Sequence, residues 1–174
     1  MKNSTRILLG IALGALSAVL LVFSFQPYSL WPLVFIAYVP MLLASQRVLP
    51  LRWAGLGPGI GVGGFLVVFL TALFGVNRVT WIFLLIAGLI AAISIVTAPA
   101  LRSFHYRTGY RWFILYGAID AAAIEFIRSF IPPIHTHAFF AQTVYSQPWL
   151  LQPVSIFGTY GLTALIILIN YALA

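Results

Sequence analysis

The chain has 174 residues, of which 63% are hydrophobic and 6% charged, with a formal net charge of +7 and a mean hydropathy of +1.08. Soluble domains carry roughly 25% charged residues, so this composition excludes a water-soluble globule and predicts an integral membrane protein. Cysteine is absent, which excludes disulfides, thiolate metal sites and a cysteine nucleophile within these residues.

A spanning helix needs about 20 mostly apolar residues. Breaks at charges and at Pro/Gly clusters predict six spans, near 7–25, 31–46, 54–75, 79–100, 112–131 and 153–173. The expected fold is all-α: a polytopic transmembrane bundle forming one domain over 1–174, with an outer loop at about 132–152. The first segment follows Lys2 and Arg6 as a signal peptide does. Its apolar run is too long, and no small-x-small cleavage site precedes Gln26, so a retained helix is expected. The second segment is short and carries Pro32 and Pro40, which predict a kink.

The third span opens with "GLGPGIGVGGF", whose small residues allow helices to approach closely in lipid. Close packing is the expected role, because a lone glycine-rich run is weak evidence for a phosphate loop. At the span's outer end, Asn77 and Arg78 read as a polar turn with a snorkelling arginine, and Asn77 is a candidate for substrate contact.

Lys2, Arg6, Arg47, Arg52, Arg102, Arg107 and Arg111 fall on alternate connections, leaving only Arg78 and Arg128 opposite them. This positive-inside distribution predicts cytoplasmic N- and C-termini. It also explains the basic charge without nucleic acid, since arginines near the surface attract anionic headgroups.

The fifth span, "DAAAIEFIRSF" in part, contains Asp120 and Glu125, the only two acidic residues. They stand about 140° apart on a helix and are not expected to act as a dyad. Arg128, three residues after Glu125, shares its face, so an ion pair is expected. That pair reads either as a depth anchor or as part of a polar site facing the bundle interior. Asp120, followed by "AAA", is expected to fasten its helix to a neighbour, a proton relay being the alternative. Beyond this span, prolines break "IPPIHTHAFFAQTVYSQPWLLQP", and Phe139, Phe140, Tyr145 and Trp149 suit an interfacial loop. His135 and His137, with no third ligand, do not predict a metal.

Three stretches, "FSFQPYSLWPLVFIAYVPML", "EFIRSF" and "VYSQPWLLQPVSIFGTYGL", together resemble the membrane portion of apolipoprotein N-acyltransferase in order and approximate spacing. "FGVNRVTW" is loosely similar to the family's Asn- and Trp-containing segment. Where the family often has Gly-Phe-Pro-Trp, this chain has His137, Ala138, Phe139 and Phe140. The resemblance implies a protein of the bacterial cytoplasmic (inner) membrane. Its partners would be a phospholipid acyl donor and a diacylglyceryl lipoprotein, whose N-terminal cysteine is acylated. No cofactor is implied. The family's Glu, Lys and Cys belong to a nitrilase-like domain and cannot be placed here, so these residues alone are expected to be inactive. Whether the native chain continues beyond Ala174 or meets a separate catalytic domain stays open. The resemblance makes Glu125, Arg128, Phe140, Tyr145, Ser146, Gln147 and Asn77 the candidate substrate-binding residues. A non-catalytic scaffold or lipid-binding subunit is the alternative, and a small transporter coupled through Asp120 is a third reading.

Overall fold

The computed structural model describes residues 2–75, 78–130 and 137–174. Among them there is no strand. The helices are α1 (Asn3–Ser24), α2 (Val39–Leu43), α3 (Leu56–Phe74), α4 (Arg78–Arg107), α5 (Phe113–Ser129), α6 (Pro148–Leu151) and α7 (Val154–Leu173), as expected of an all-α bundle. Among the described residues, five helical segments are long and apolar enough to cross a membrane: Asn3–Ser24, Trp31–Val48, Leu51–Phe74, Trp81–Arg107 and Val154–Leu173. Of the six expected spans the remaining one is α5, whose 17 residues rise about 25 Å. It lies antiparallel to α7. Phe113 meets Tyr171 at one end, with ring centroids 4.8 Å apart, and the Tyr160 hydroxyl donates to Ser129 Oγ at 3.1 Å at the other.

α1 buries Gly10, Gly14, Ser17, Leu21 and Ser24, a spacing of three and four residues that makes one stripe, small except at Leu21. This stripe receives α3, so closely that a Cβ at Gly14 would stand 2.7 Å from the Gly57 carbonyl oxygen. The glycines of α3 serve two neighbours. Gly57 and Gly61 face Ala44 and Met41, whereas Gly59 and Gly63 face Ile95 and Ala91 of α4. The packing role expected of this glycine run is what the fold displays.

The second span is a broken helix, consistent with its two prolines. A 3₁₀ turn (Trp31–Phe35) leads into α2, and a π turn (Ala44–Val48) follows. It runs back alongside α1. Leu30 N–H donates to the Phe23 carbonyl at one end, and Arg6 Nε donates to the Val48 carbonyl at 2.7 Å at the other. Broken backbone at membrane depth must find partners inside the protein. Asn170 of α7 supplies two: its Oδ1 accepts from Tyr38 N–H at 2.8 Å and its Nδ2 donates to the Val34 carbonyl at 2.8 Å. The Met41 N–H donates to Ser17 Oγ at 2.9 Å. At the end of the π turn, Arg102 of α4 donates to the carbonyls of Ser45 and Leu49. Arg6 and Arg102 therefore stand at the same end of the bundle, where free helix carbonyls favour cations.

α4 packs on α3 and α5 packs on α7, yet α4 and α5, consecutive in the chain, scarcely touch among the described residues. Residues 108–112 join them through Gly109 and Tyr110, both at positive φ.

Candidate functional site

A cavity of about 550 Å³ fills the space that α4 and α5 leave between them, with α3 and the broken second span forming its back wall. Phe113 and Arg128 both border it. Fifteen residues of α5 separate them, so the cavity extends about 22 Å along the bundle. One end holds Gln46 and His105 near the Arg102 cluster, and the other holds Arg128, Ala138 and Phe140.

Glu125 is 2% exposed. Its Oε1 accepts from the Phe140 backbone N–H at 2.9 Å, and its Oε2 accepts from the Thr163 hydroxyl at 2.6 Å. A carboxyl taken out of water needs such donors, and here both oxygens have one. The bond to Phe140 anchors the 3₁₀ turn Phe140–Val144, whose first residue borders one end of the cavity. Thr163 and Asn170 are seven residues apart and share a face of α7. That polar periodicity is readable in the sequence.

The expected Glu125–Arg128 ion pair is absent among the described residues. The carboxyl is committed to Phe140 and Thr163, while the Arg128 guanidinium lies over the Phe139 ring at 5.2 Å. Its buried Nε has no hydrogen-bond partner. Asp120 also departs from expectation. Its hydrogen bond comes from Tyr116 on the same helix, at 3.5 Å, rather than from a neighbouring helix, and it borders the cavity.

Of the aromatic loop residues, Phe139 and Phe140 are buried rather than facing lipid. Phe140 packs against Phe25 and Tyr38 at 6.3 and 5.4 Å. Tyr145 and Trp149 are exposed, as an interfacial position requires. Phe140 borders the cavity with Glu125 and Arg128, but Tyr145, Ser146 and Gln147 are not among its lining residues. Tyr145 and Ser146 are exposed, and Gln147 Oε1 accepts from Trp149 Nε1 at 3.2 Å. Asn77, His135 and the Arg78 side chain lie outside the described residues, whereas the His137 ring meets Phe74 edge-on.

His105 is a site residue that the sequence did not single out. It is fully buried among Phe104, Tyr110, Phe113 and Tyr116, and neither ring nitrogen has a partner.

A family model described as the apolipoprotein N-acyltransferase N-terminal domain matches residues 17–172. No curated protein matches the chain.

Proposed function

The chain belongs to the family of apolipoprotein N-acyltransferase N-terminal domains, and from that premise we propose that it holds the lipidic substrates of lipoprotein N-acylation in the bacterial cytoplasmic membrane. The observation that carries this reading is the cavity between α4 and α5, bordered at one end by a turn that Glu125 anchors. Acyl chains enter sideways between the two helices, and the donor and acceptor headgroups meet near Arg128 and Phe140. A phosphate at this end offers the Arg128 guanidinium a direct hydrogen-bonded partner, which Glu125, committed to Phe140 and Thr163, does not. Tyr145, Ser146 and Gln147 belong to the outer surface around that end. The basic cluster at the opposite end sets the N-terminus in the cytoplasm.

Holding two lipids at one place contributes to rate through proximity. The acyl transfer itself requires a nucleophile, a base and oxyanion donors close together. With no cysteine and only Lys2 as a lysine, these residues supply the membrane half of such a reaction. A nitrilase-like domain, joined or separate, supplies the other half.

Site-specific crosslinking with a photoactivatable phospholipid tests the proposal. Labelling is expected to be stronger at Ile124, on the cavity wall, than at Val19, exposed on α1, and to fall when a diacylglyceryl peptide is added in excess. Equal labelling at both positions, unaffected by the peptide, overturns it.

A further inference from the structure

The end of the bundle opposite Arg128 gathers most of the chain's charge. Lys2, Arg6, Arg47, Arg52, Arg102, Arg107 and Arg111 all lie on segments that meet there. The only two acidic side chains of the sequence belong to α5, where Asp120 is bonded by Tyr116, and Glu125 by Phe140 and Thr163. Seven cations therefore stand without an acidic side chain to offset them.

Two of the seven are fixed in place. Arg6 of α1 donates from Nε to the Val48 carbonyl at 2.7 Å, and Arg102 of α4 donates from Nη1 to the carbonyls of Ser45 and Leu49 at 2.9 and 2.7 Å. Val48 and Leu49 are consecutive, so guanidiniums from two helices converge on the end of one π turn. Nη1 and Nη2 of Arg6, and Nε and Nη2 of Arg102, have no protein partner among the described residues. Both side chains are half-buried, yet none of these nitrogens is among the buried orphaned atoms, so their free N–H groups reach the outside of the molecule. Carbonyls orient a guanidinium without neutralising it, and its planar fork matches the oxygens of a phosphate. Fixing the donors beforehand lowers the entropy cost of binding one. The surroundings suit a lipid rather than a dissolved ion. The adjoining 3₁₀ turn Leu51–Trp53 packs against α4 and exposes Leu51 and Trp53, with the Arg52 guanidinium over the Trp53 ring at 5.6 Å. An exposed tryptophan beside arginines marks the level where headgroup gives way to hydrocarbon.

We infer that Arg6 and Arg102 form a binding site for the phosphate of an anionic phospholipid in the leaflet at that end. Its phosphodiester oxygens accept from the free N–H groups of both arginines, and its acyl chains start beside Leu51 and Trp53. A zwitterionic headgroup brings an ammonium group that the neighbouring cations repel, so the site selects net negative charge. The bound lipid clamps α1, the broken second span and α4 together. It goes beyond the substrate holding proposed above, because the site lies at the other end of the bundle and its lipid is not consumed.

Native mass spectrometry of the full chain in micelles of an uncharged detergent, with phosphatidylglycerol and phosphatidylcholine added in equal amounts, provides the test. The wild type is expected to bind phosphatidylglycerol roughly thirtyfold more tightly, which corresponds to about 1 kcal/mol from each of two guanidiniums. Arg6→Gln/Arg102→Gln is expected to lower that preference by about tenfold or more. Arg107→Gln/Arg111→Gln, at exposed positions and of the same net charge, is expected to keep it. An equal loss in the two variants overturns the site, because diffuse charge then accounts for the preference. Equal binding of the two lipids by the wild type overturns it as well, and that comparison depends on no variant's folding. Displacement of phosphatidylglycerol from the wild type by millimolar inorganic phosphate overturns the lipid assignment in favour of a free phosphate. Crosslinking at Ile124 is unaffected by any of these results, so the holding role stands or falls separately.

Discussion

The contact between α1 and α3 and the gap between α4 and α5 both lie between largely apolar helices, yet one is closed to backbone distance and the other stands open. The difference lies in the side chains at the facing positions. Where Gly14 meets Gly57, nothing projects from either helix, and the helices approach until a single added carbon collides with a carbonyl. Across the other gap stand Thr97, Asp120 and Ile124, which border the cavity. In lipid, where apolar surfaces gain little by leaving the solvent, helix contact follows shape rather than hydrophobicity. One half of the molecule is therefore a rigid frame, and the other is a wall with room behind it.

The sharpest way to break this contrast is to insert the smallest side chain into the frame. Gly14→Ala places its Cβ 2.7 Å from the Gly57 carbonyl oxygen, which belongs to backbone and cannot rotate away. Overpacking of this kind typically costs 1–3 kcal/mol, and a loss of about 2 kcal/mol is expected. Reversible denaturation in detergent micelles, or the shift in midpoint on thermal unfolding, measures it. A loss too small to detect would show that α1 and α3 slide apart at little cost.

The frame was legible in the sequence, whereas the wall was legible only in part. Hydropathy located the spans, and "GLGPGIGVGGF" announced close packing, because both are properties of contiguous residues. Pro32 and Pro40 marked the second span as broken, but they did not reveal that Asn170, more than 130 residues away, would satisfy its backbone. The fifth span shows the same limit. Helical spacing placed Arg128 beside Glu125 and predicted a pair, but that spacing takes no account of the competing donors the folded loop brings. The Phe140 N–H and the Thr163 hydroxyl reach Glu125 from 15 and 38 residues away. His105 was hidden for a related reason. It sits in a basic connection that reads as solvated, and it is buried because the chain turns back at Gly109 and Tyr110 and brings Phe113 and Tyr116 over it.

Two double-mutant cycles, intermediate in expected effect, sharpen the account of the wall. Glu125→Ala with Thr163→Val removes a direct hydrogen bond between buried groups, and a coupling of about 1 kcal/mol or more is expected. Glu125→Ala with Arg128→Ala probes two residues with no hydrogen bond between them, and the coupling should be smaller than in the first cycle. Hydrogen exchange at the Phe140 amide gives an independent reading. Glu125→Ala is expected to raise it, because the amide loses its acceptor, while Arg128→Ala leaves that bond in place. A larger coupling to Arg128 than to Thr163 would restore the ion pair and displace the anchored turn.

The smallest effect is expected from the same Gly-to-Ala change made where no neighbour stands. Gly88 lies within α4, and a Cβ there meets nothing within 4 Å. The substitution therefore meets no collision and removes the conformational freedom that glycine brings to the unfolded chain. Alanine also exceeds glycine in helix propensity by roughly 1 kcal/mol in water. Gly88→Ala should leave stability unchanged or raise it by a few tenths of a kcal/mol, opposite in sign to Gly14→Ala, when both are measured by the same denaturation. Similar losses for the two variants would mean that a surface packs against α4 at Gly88.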